Sequence, residues 1–179
     1  MHGFVIIGTL IYVLSKDKTS VLMVHRHKRS SDDQLGFYNG LGGKMEDKET
    51  LVECMQRELF EEANIRATKF SLRGFVHWEG FGKRAETWMG AVFLVEEFEG
   101  AVHDENQEGT LEFIPLNRLF NLPLFEGDKA FLSKVFDKEE SLFHAFLSYE
   151  NQKFLHGRCT RQEDVEEFNT HATGDVFFS

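Results

Sequence analysis

The sequence predicts a single α/β domain. Three observations carry that expectation: an apolar, β-branched run at residues 4–14, an amphipathic helical stretch that starts at Thr50, and further strand-like runs after residue 65. A chain of 179 residues is long enough for one core, and 41% hydrophobic with 28% charged residues is ordinary for a globular protein. Phenylalanine is abundant, at 19, and proline scarce, at 2, which argues against a long disordered linker.

The run at 4–14 (FVIIGTLIYVL) reads as a central strand; it is too short for a membrane span and has no basic leader. A polar turn at 15–20 leads to a second strand at 21–25. In the basic cluster that follows, Lys28 and Arg29 read as solvated loop. Arg26 has two readings, a loop residue or a phosphate contact, because it ends a strand near a glycine loop. Residues 30–36 are loop. Asn39 precedes Gly40, so it either stabilises a turn or presents its amide to a ligand.

The most informative stretch runs from Gly42 to Ile65. Thr50 and Glu53 have capping-box spacing, and Leu51, Val52, Met55 and Leu59 recur at helical intervals as an inward face. Glu58, Glu61 and Glu62 then share one stripe, where like charges repel unless a cation sits among them. Arg57 is spaced to pair with Glu61. Asn64, which tolerates the left-handed turn, stands at the helix stop.

Strands are expected at 69–78 and 87–98 around a polar turn, with their aromatics in packing roles. The acidic loop His103-Asp104-Glu105-Asn106-Gln107-Glu108 reads alone as surface; beside a metal-binding helix it would supply one more oxygen ligand, with Glu108 the first choice. A short strand follows at 111–114, then a short helix at 115–122 and a helix at 129–136, for which Asp128 has N-cap character. A hairpin is expected at 143–149 and 153–155, and a helix at 161–168. The tail at 169–179, with Val176-Phe177-Phe178, shows no readable pattern.

A formal net charge of -10 argues against a general nucleic-acid binder. Cys54 and Cys159 form no disulfide framework and read as buried thiols of a reducing compartment. The expectation is a cytoplasmic protein acting on a small molecule, away from nucleic acid polymers and membranes, as a monomer or homodimer.

Five residues separate Gly43 from Glu49, seven separate Glu49 from Arg57, and Arg57-Glu58-Leu59-Phe60-Glu61-Glu62-Ala63-Asn64-Ile65 follows. This resembles the signature of the Nudix hydrolase family: Gly, five residues, Glu, seven residues, then Arg-Glu-apolar-x-Glu-Glu-x-Gly-apolar. Every charged position matches, and only Asn64 departs, in place of the final glycine. A looser resemblance, in the order of elements, extends from about residue 4 to 155 and is similar to the MutT-type branch. It implies an α/β/α sandwich around a mixed sheet, with residues 1–156 as the domain and 157–179 as a C-terminal helix or tail.

By matching position, the resemblance implies Glu58 and Glu62 as principal Mg²⁺ ligands, with Glu61 a further ligand or proton acceptor and the Gly42 carbonyl assisting. Glu49 and Arg57 would be orienting partners. Carboxylate oxygens suit Mg²⁺ or Mn²⁺, and no His/Cys set at zinc spacing competes. The implied reaction is hydrolysis of a nucleoside diphosphate bonded to a group X, with NMP and pyrophosphate as products when X is phosphate.

The segment from Phe37 through Asn39 to Lys44 resembles the base-binding approach of enzymes that clear oxidised purine nucleotides such as 8-oxo-dGTP, and Phe125-Glu126-Gly127-Asp128 through Phe131 resembles their second base-reading segment. That resemblance makes Asn39 and Asp128 hydrogen-bonding partners of the purine edge and Phe125 and Phe131 its packing partners, with Lys44 at the approach. Thr9 and Arg26 fall at pocket positions. Some relatives carry two adjacent acids where this chain has Gly127-Asp128. Two other readings stand beside this one. ADP-ribose, a dinucleotide polyphosphate or a nucleotide sugar would keep the class, although no proline occurs between Ile65 and Pro115, where ADP-ribose enzymes of the family often carry one. A regulator that binds nucleotide without cleaving it typically loses signature acids, and this chain keeps all of them.

Overall fold

The computed structural model describes residues 4–28 and 35–161. Among them, one mixed sheet contains β1 (Val5–Leu14), β2 (Ser20–Arg26), β3 (Tyr38–Asn39), β4 (Ile65–Phe81), β5 (Glu86–Gly100), β6 (Gly109–Pro115), β7 (Phe143–Glu150) and β8 (Lys153–Thr160). The order is β3-β2-β1-β5-β4-β7-β8, with β6 paired to β2. The pairs β1–β5 and β4–β7 are parallel.

Alternation along β1 sorts the core into two layers, because successive side chains point to opposite faces. Ile11 and Val13 join Met55, Leu59 and Ala63 of α1 (Leu51–Ala63) on one face. Tyr12 and Leu14 join Leu132 and Val135 of α2 (Leu132–Phe136) on the other. Helices therefore cover both faces, as the α/β/α expectation required. No helix among the described residues is long and apolar enough to cross a membrane.

The sheet opens where the glycine loop enters. β1 and β2 pair at Val13↔Leu22 and Leu14↔Val21, then diverge. Residues 38–44 fill the gap: β3 pairs with β2, while Leu41 and Lys44 bridge to Ile11 and Gly8 of β1. Gly8 permits this approach, since a Cβ there would lie 2.6 Å from the Gly43 carbonyl oxygen.

Several elements differ from the sequence expectation. β4 and β5 run well past 69–78 and 87–98 because bulges, including those between Ala67 and Lys69 and between Leu72 and Gly74, break the alternation without ending the pairing. The helix expected at 129–136 splits into a 3₁₀ turn, Asp128–Ala130, and α2, with Phe131 at φ -125 between them. Asp128 caps neither, as Gly127 holds the cap position and no side-chain cap bond forms. The helix at 115–122 is a 3₁₀ helix, Leu116–Asn121. Val52, placed inward by periodicity, is 42% exposed. β8 continues to Thr160 rather than stopping at residue 155, so pairing passes residue 156. Arg29, most of the loop at 30–36, the helix at 161–168 beyond Arg161 and the tail at 169–179 lie outside the described residues.

Candidate active site

The local sequence sets both ends of α1. Thr50 Oγ1 accepts from the Glu53 amide at 3.2 Å, and Glu53 Oε2 accepts from the Thr50 amide at 2.8 Å, a complete capping box. At the other end Asn64 adopts φ 58, ψ 36 and donates its amide to the Leu59 and Phe60 carbonyls. Its side-chain Nδ2 also reaches the Ala101 carbonyl at 3.1 Å. Between these caps, α1 and the loop before it bring the signature charges together.

Arg57 is the hub. Its Nε donates to Glu49 Oε1 at 2.5 Å and its Nη2 to Glu49 Oε2 at 3.0 Å, a two-point clamp. Its Nη1 reaches Glu58 Oε1 at 2.8 Å and Glu61 Oε2 at 3.2 Å. The Lys44 carbonyl takes a further bond from Nη2 at 3.1 Å. The hydrogen bonds from Arg57 hold the Glu49 carboxyl down at about 2. Glu58 moves upward, because burial outweighs the same arginine and Glu61 and Glu49 repel its charge.

Glu62 points the other way along the stripe. The Gly42 amide donates to its Oε2 at 3.1 Å. Burial, reinforced by the charges of Glu108 and Glu58, still pushes Glu62 up to about 8. Glu58, Glu61, Glu62 and Glu108 all line one open cleft of about 590 Å³. Four carboxylates lining one cleft, two of them raised mainly by burial and then by neighbouring charges, are a donor set that a hard divalent cation relieves, so these residues fit one. Among the described residues, however, no three acids, histidines or cysteines stand as a ready-made cage. One oxygen of Glu58 and one of Glu61 are taken by Arg57, and Glu108 Oε2 accepts from Arg26 Nη1 at 2.6 Å. Gly42, expected to offer its carbonyl, meets the acids through its amide.

A second cavity, of about 330 Å³, adjoins the first through Glu108. Thr9, Arg26, Asn39, Phe125 and Asp128, from separate segments of the chain, all line it. Thr9 Oγ1 stands 3.6 Å from Cys54 Sγ, one of two free thiols. Asn39 donates Nδ2 to the Gly40 carbonyl at 3.0 Å, and its Oδ1 is buried without a hydrogen-bond partner. Phe125 stacks on Phe37 with centroids 5.2 Å apart. Asp128 is 7% exposed, and burial lifts its carboxyl to about 7.

Two expected pocket residues are elsewhere. Phe131 is fully buried and packs on Phe143 at 5.8 Å, because the chain turns between the 3₁₀ turn and α2 and points its ring into the core. Lys44 is exposed, and its backbone rather than its ammonium group serves the site.

Comparison with known proteins decides the class. The family model for the NUDIX domain matches residues 6–137. The chain belongs to the Nudix hydrolase family. A relative in Bacillus subtilis (strain 168), the uncharacterized Nudix hydrolase YvcI, is 30% identical over 132 residues, 72% of this chain and 78% of that protein. The MutT protein of Bacillus halodurans superposes with a TM-score of 0.75 at 26% identity, covering 87% of this chain and 97% of that one. The NUDIX domain of Shewanella oneidensis NrtR, solved with ADP ribose, shares the fold at a TM-score of 0.58 and 16% identity, covering 75% of this chain and 86% of that one.

Four aromatic residues of this Nudix hydrolase's second cavity escaped the sequence: Trp78, Phe81, Trp88 and Tyr149. The strands of Trp78 and Trp88 were legible with their aromatics in packing roles, Tyr149 ended an expected hairpin strand, and Phe81 fell in the expected polar turn. Trp78 and Trp88 face each other across β4 and β5, and only the register shows that. Gly90 leaves room for the indole, since a Cβ there would lie 2.5 Å from Trp78 Cζ3.

Proposed function

We propose that this Nudix hydrolase is a Mg²⁺-dependent nucleoside triphosphate pyrophosphohydrolase that converts oxidised purine nucleotides such as 8-oxo-dGTP to NMP and pyrophosphate. One observation carries this reading: an aromatic-walled cavity with unsatisfied polar groups opens, at Glu108, into a cleft crowded with carboxylates. The first suits a purine and the second a metal-bound polyphosphate, so the reacting phosphorus would lie near their junction. A bound cation would neutralise phosphate oxygens and acidify the attacking water.

The chain's own contributions follow from the geometry. Glu58, Glu61 and Glu62, with Glu108 opposite, would hold the cation, and Mn²⁺ would substitute for Mg²⁺. Glu49 fixes the Arg57 guanidinium, which in turn fixes Glu58 and Glu61. Asn39 and Asp128 would read the purine edge, Phe125 would pack on its ring, and Thr9 and Arg26 would line its approach. A water oxygen would bond to phosphorus and give its proton to a carboxylate of the cleft, such as Glu61, as the anhydride P–O bond breaks and pyrophosphate leaves.

The test is a substrate panel with Mg²⁺ and identification of products. Faster turnover of oxidised than ordinary purine triphosphates, giving NMP and pyrophosphate, is expected. Equal turnover of both removes the oxidised-base preference. Because the NrtR domain was solved with ADP ribose, the panel includes that compound. AMP and ribose phosphate formed from it at the highest rate would replace the present reading. Binding with no product under any divalent metal would make the protein a regulator.

A further inference from the structure

The second cavity holds a hydroxyl that nothing in the established class assigns. Tyr149, on β7, lines the wall with its Oη buried and without a hydrogen-bond partner. Its ring is held edge-on by Phe81 at 5.3 Å and Phe154 at 5.6 Å. Burial first, and then the charge of Asp128, raise the phenol, so it stays a protonated donor beside that acid at neutral pH.

Gly127 makes the room. A Cβ at 127 would stand 2.2 Å from Tyr149 Oη, with Leu147 Cδ1 next at 3.0 Å and Tyr149 Cζ at 3.3 Å. The backbone at 127, φ -63 and ψ -35, is one that every residue adopts, so the turn itself does not require glycine. What glycine supplies there is space for the phenol oxygen. The sequence placed Gly127 where some relatives carry a second acid, and Tyr149 now occupies the neighbourhood of that missing side chain.

We propose that Tyr149 Oη is a specificity-determining hydrogen-bond donor of the base cavity, seated in the space left by Gly127 and directed at an acceptor on the bound base. The proposal rests on reading this cavity as a nucleobase site. Asn39 Oδ1 and Asp128 can accept hydrogen bonds while Tyr149 donates, which matches a base edge with ring or amino N–H groups beside a carbonyl: the lactam edge of a 6-oxopurine. A base that presents an N–H or C–H instead of an acceptor leaves the buried phenol O–H unpaired, and such a site rejects it.

The experiment compares wild type and Tyr149→Phe on inosine triphosphate and on purine-riboside triphosphate, which lacks the 6-oxo group, with Mg²⁺. Tyr149→Phe is expected to raise KM for the inosine substrate roughly tenfold with kcat nearly unchanged, and to leave the purine-riboside substrate as it was. Unchanged values for both, or the same change for both, overturn the proposal, since loss of packing does not distinguish the two bases. Gly127→Ala is expected to weaken binding of both nucleotides, measured by calorimetry, and adding Tyr149→Phe to recover most of the affinity for the purine-riboside nucleotide while the inosine nucleotide stays roughly tenfold weaker. Wild-type affinity in Gly127→Ala alone also overturns the assignment. A wild type that neither binds nor cleaves either nucleotide removes the nucleobase reading and this proposal with it. A wild type that cleaves while Tyr149→Phe matches it removes this proposal only.

Discussion

Arg57 bonds to three glutamates at once, and helical spacing reveals only the Glu61 partner. Glu49 comes from the loop and Glu58 is the adjacent residue, so their convergence needs the loop folded against α1. Arg57→Lys keeps the charge but not the two-point grip on Glu49, and turnover is expected to fall roughly 100-fold in steady-state assays. Glu58→Gln is expected to lower metal-dependent turnover by roughly 100-fold or more while the melting temperature holds. It removes a charge already disfavoured by burial, so a collapsed fold would be a different result. Asp128 carries a pH signature. Folding raises its carboxyl from 3.8 to about 7, so its neutral form favours the folded state below pH 4 and that advantage is lost as pH rises to 7. Asp128→Asn does not titrate. Its stability relative to wild type, by chemical denaturation, is expected to improve between pH 4 and 7 by up to roughly 4 kcal/mol and then level off.

At the scale of elements, α1 was readable almost in full because its signals are local. The capping box, the apolar spacing and the left-handed stop all involve residues a few positions apart. Thr50→Ala is expected to cost about 1 kcal/mol in denaturant titrations. Asn64→Ala places a β-branch-free but still Cβ-bearing residue in the left-handed region and deletes the bond to Ala101; a loss of about 2 kcal/mol is expected, and Asn64→Gly recovers part of it. The long strands were less legible. β4 shifts register against β5 at several bulges, and each shift moves later side chains to the other face. That is why Trp78 and Trp88 looked like packing residues and Phe81 like part of a turn. β3, only two residues long, has no signal of its own and exists because β1 and β2 part.

The whole molecule closes through two arginines. Arg73 is 9% exposed and donates to the Val135 carbonyl at 3.0 Å and Asp137 Oδ1 at 3.1 Å. Arg161, 7% exposed, bonds both oxygens of Asp137 at 2.9 Å and the Lys134 carbonyl at 3.1 Å. Together they bind the end of α2 to β4 and to the chain leaving β8, behind the segment that carries Phe125 and Asp128. Arg161→Ala is expected to lower stability by about 2 kcal/mol, read by thermal or urea unfolding. A domain cut at residue 156 would lose this contact and the last pairs of β8, from Gly157 to Thr160.

The resemblance of residues 43–65 to the Nudix signature was enough to identify the family and its acidic stripe, because those residues lie close together in the chain and the glycine loop that feeds them is contiguous in sequence. The second cavity was decided elsewhere. Thr9, Asn39, Trp78, Asp128 and Tyr149 come from five distant segments, and their meeting depends on a split sheet, bulged strands and one missing side chain at Gly127. Phe131 and Lys44 mark the same boundary from the other side: neighbours of the right residues in sequence, they are turned away by the path of the backbone, which sequence spacing does not encode.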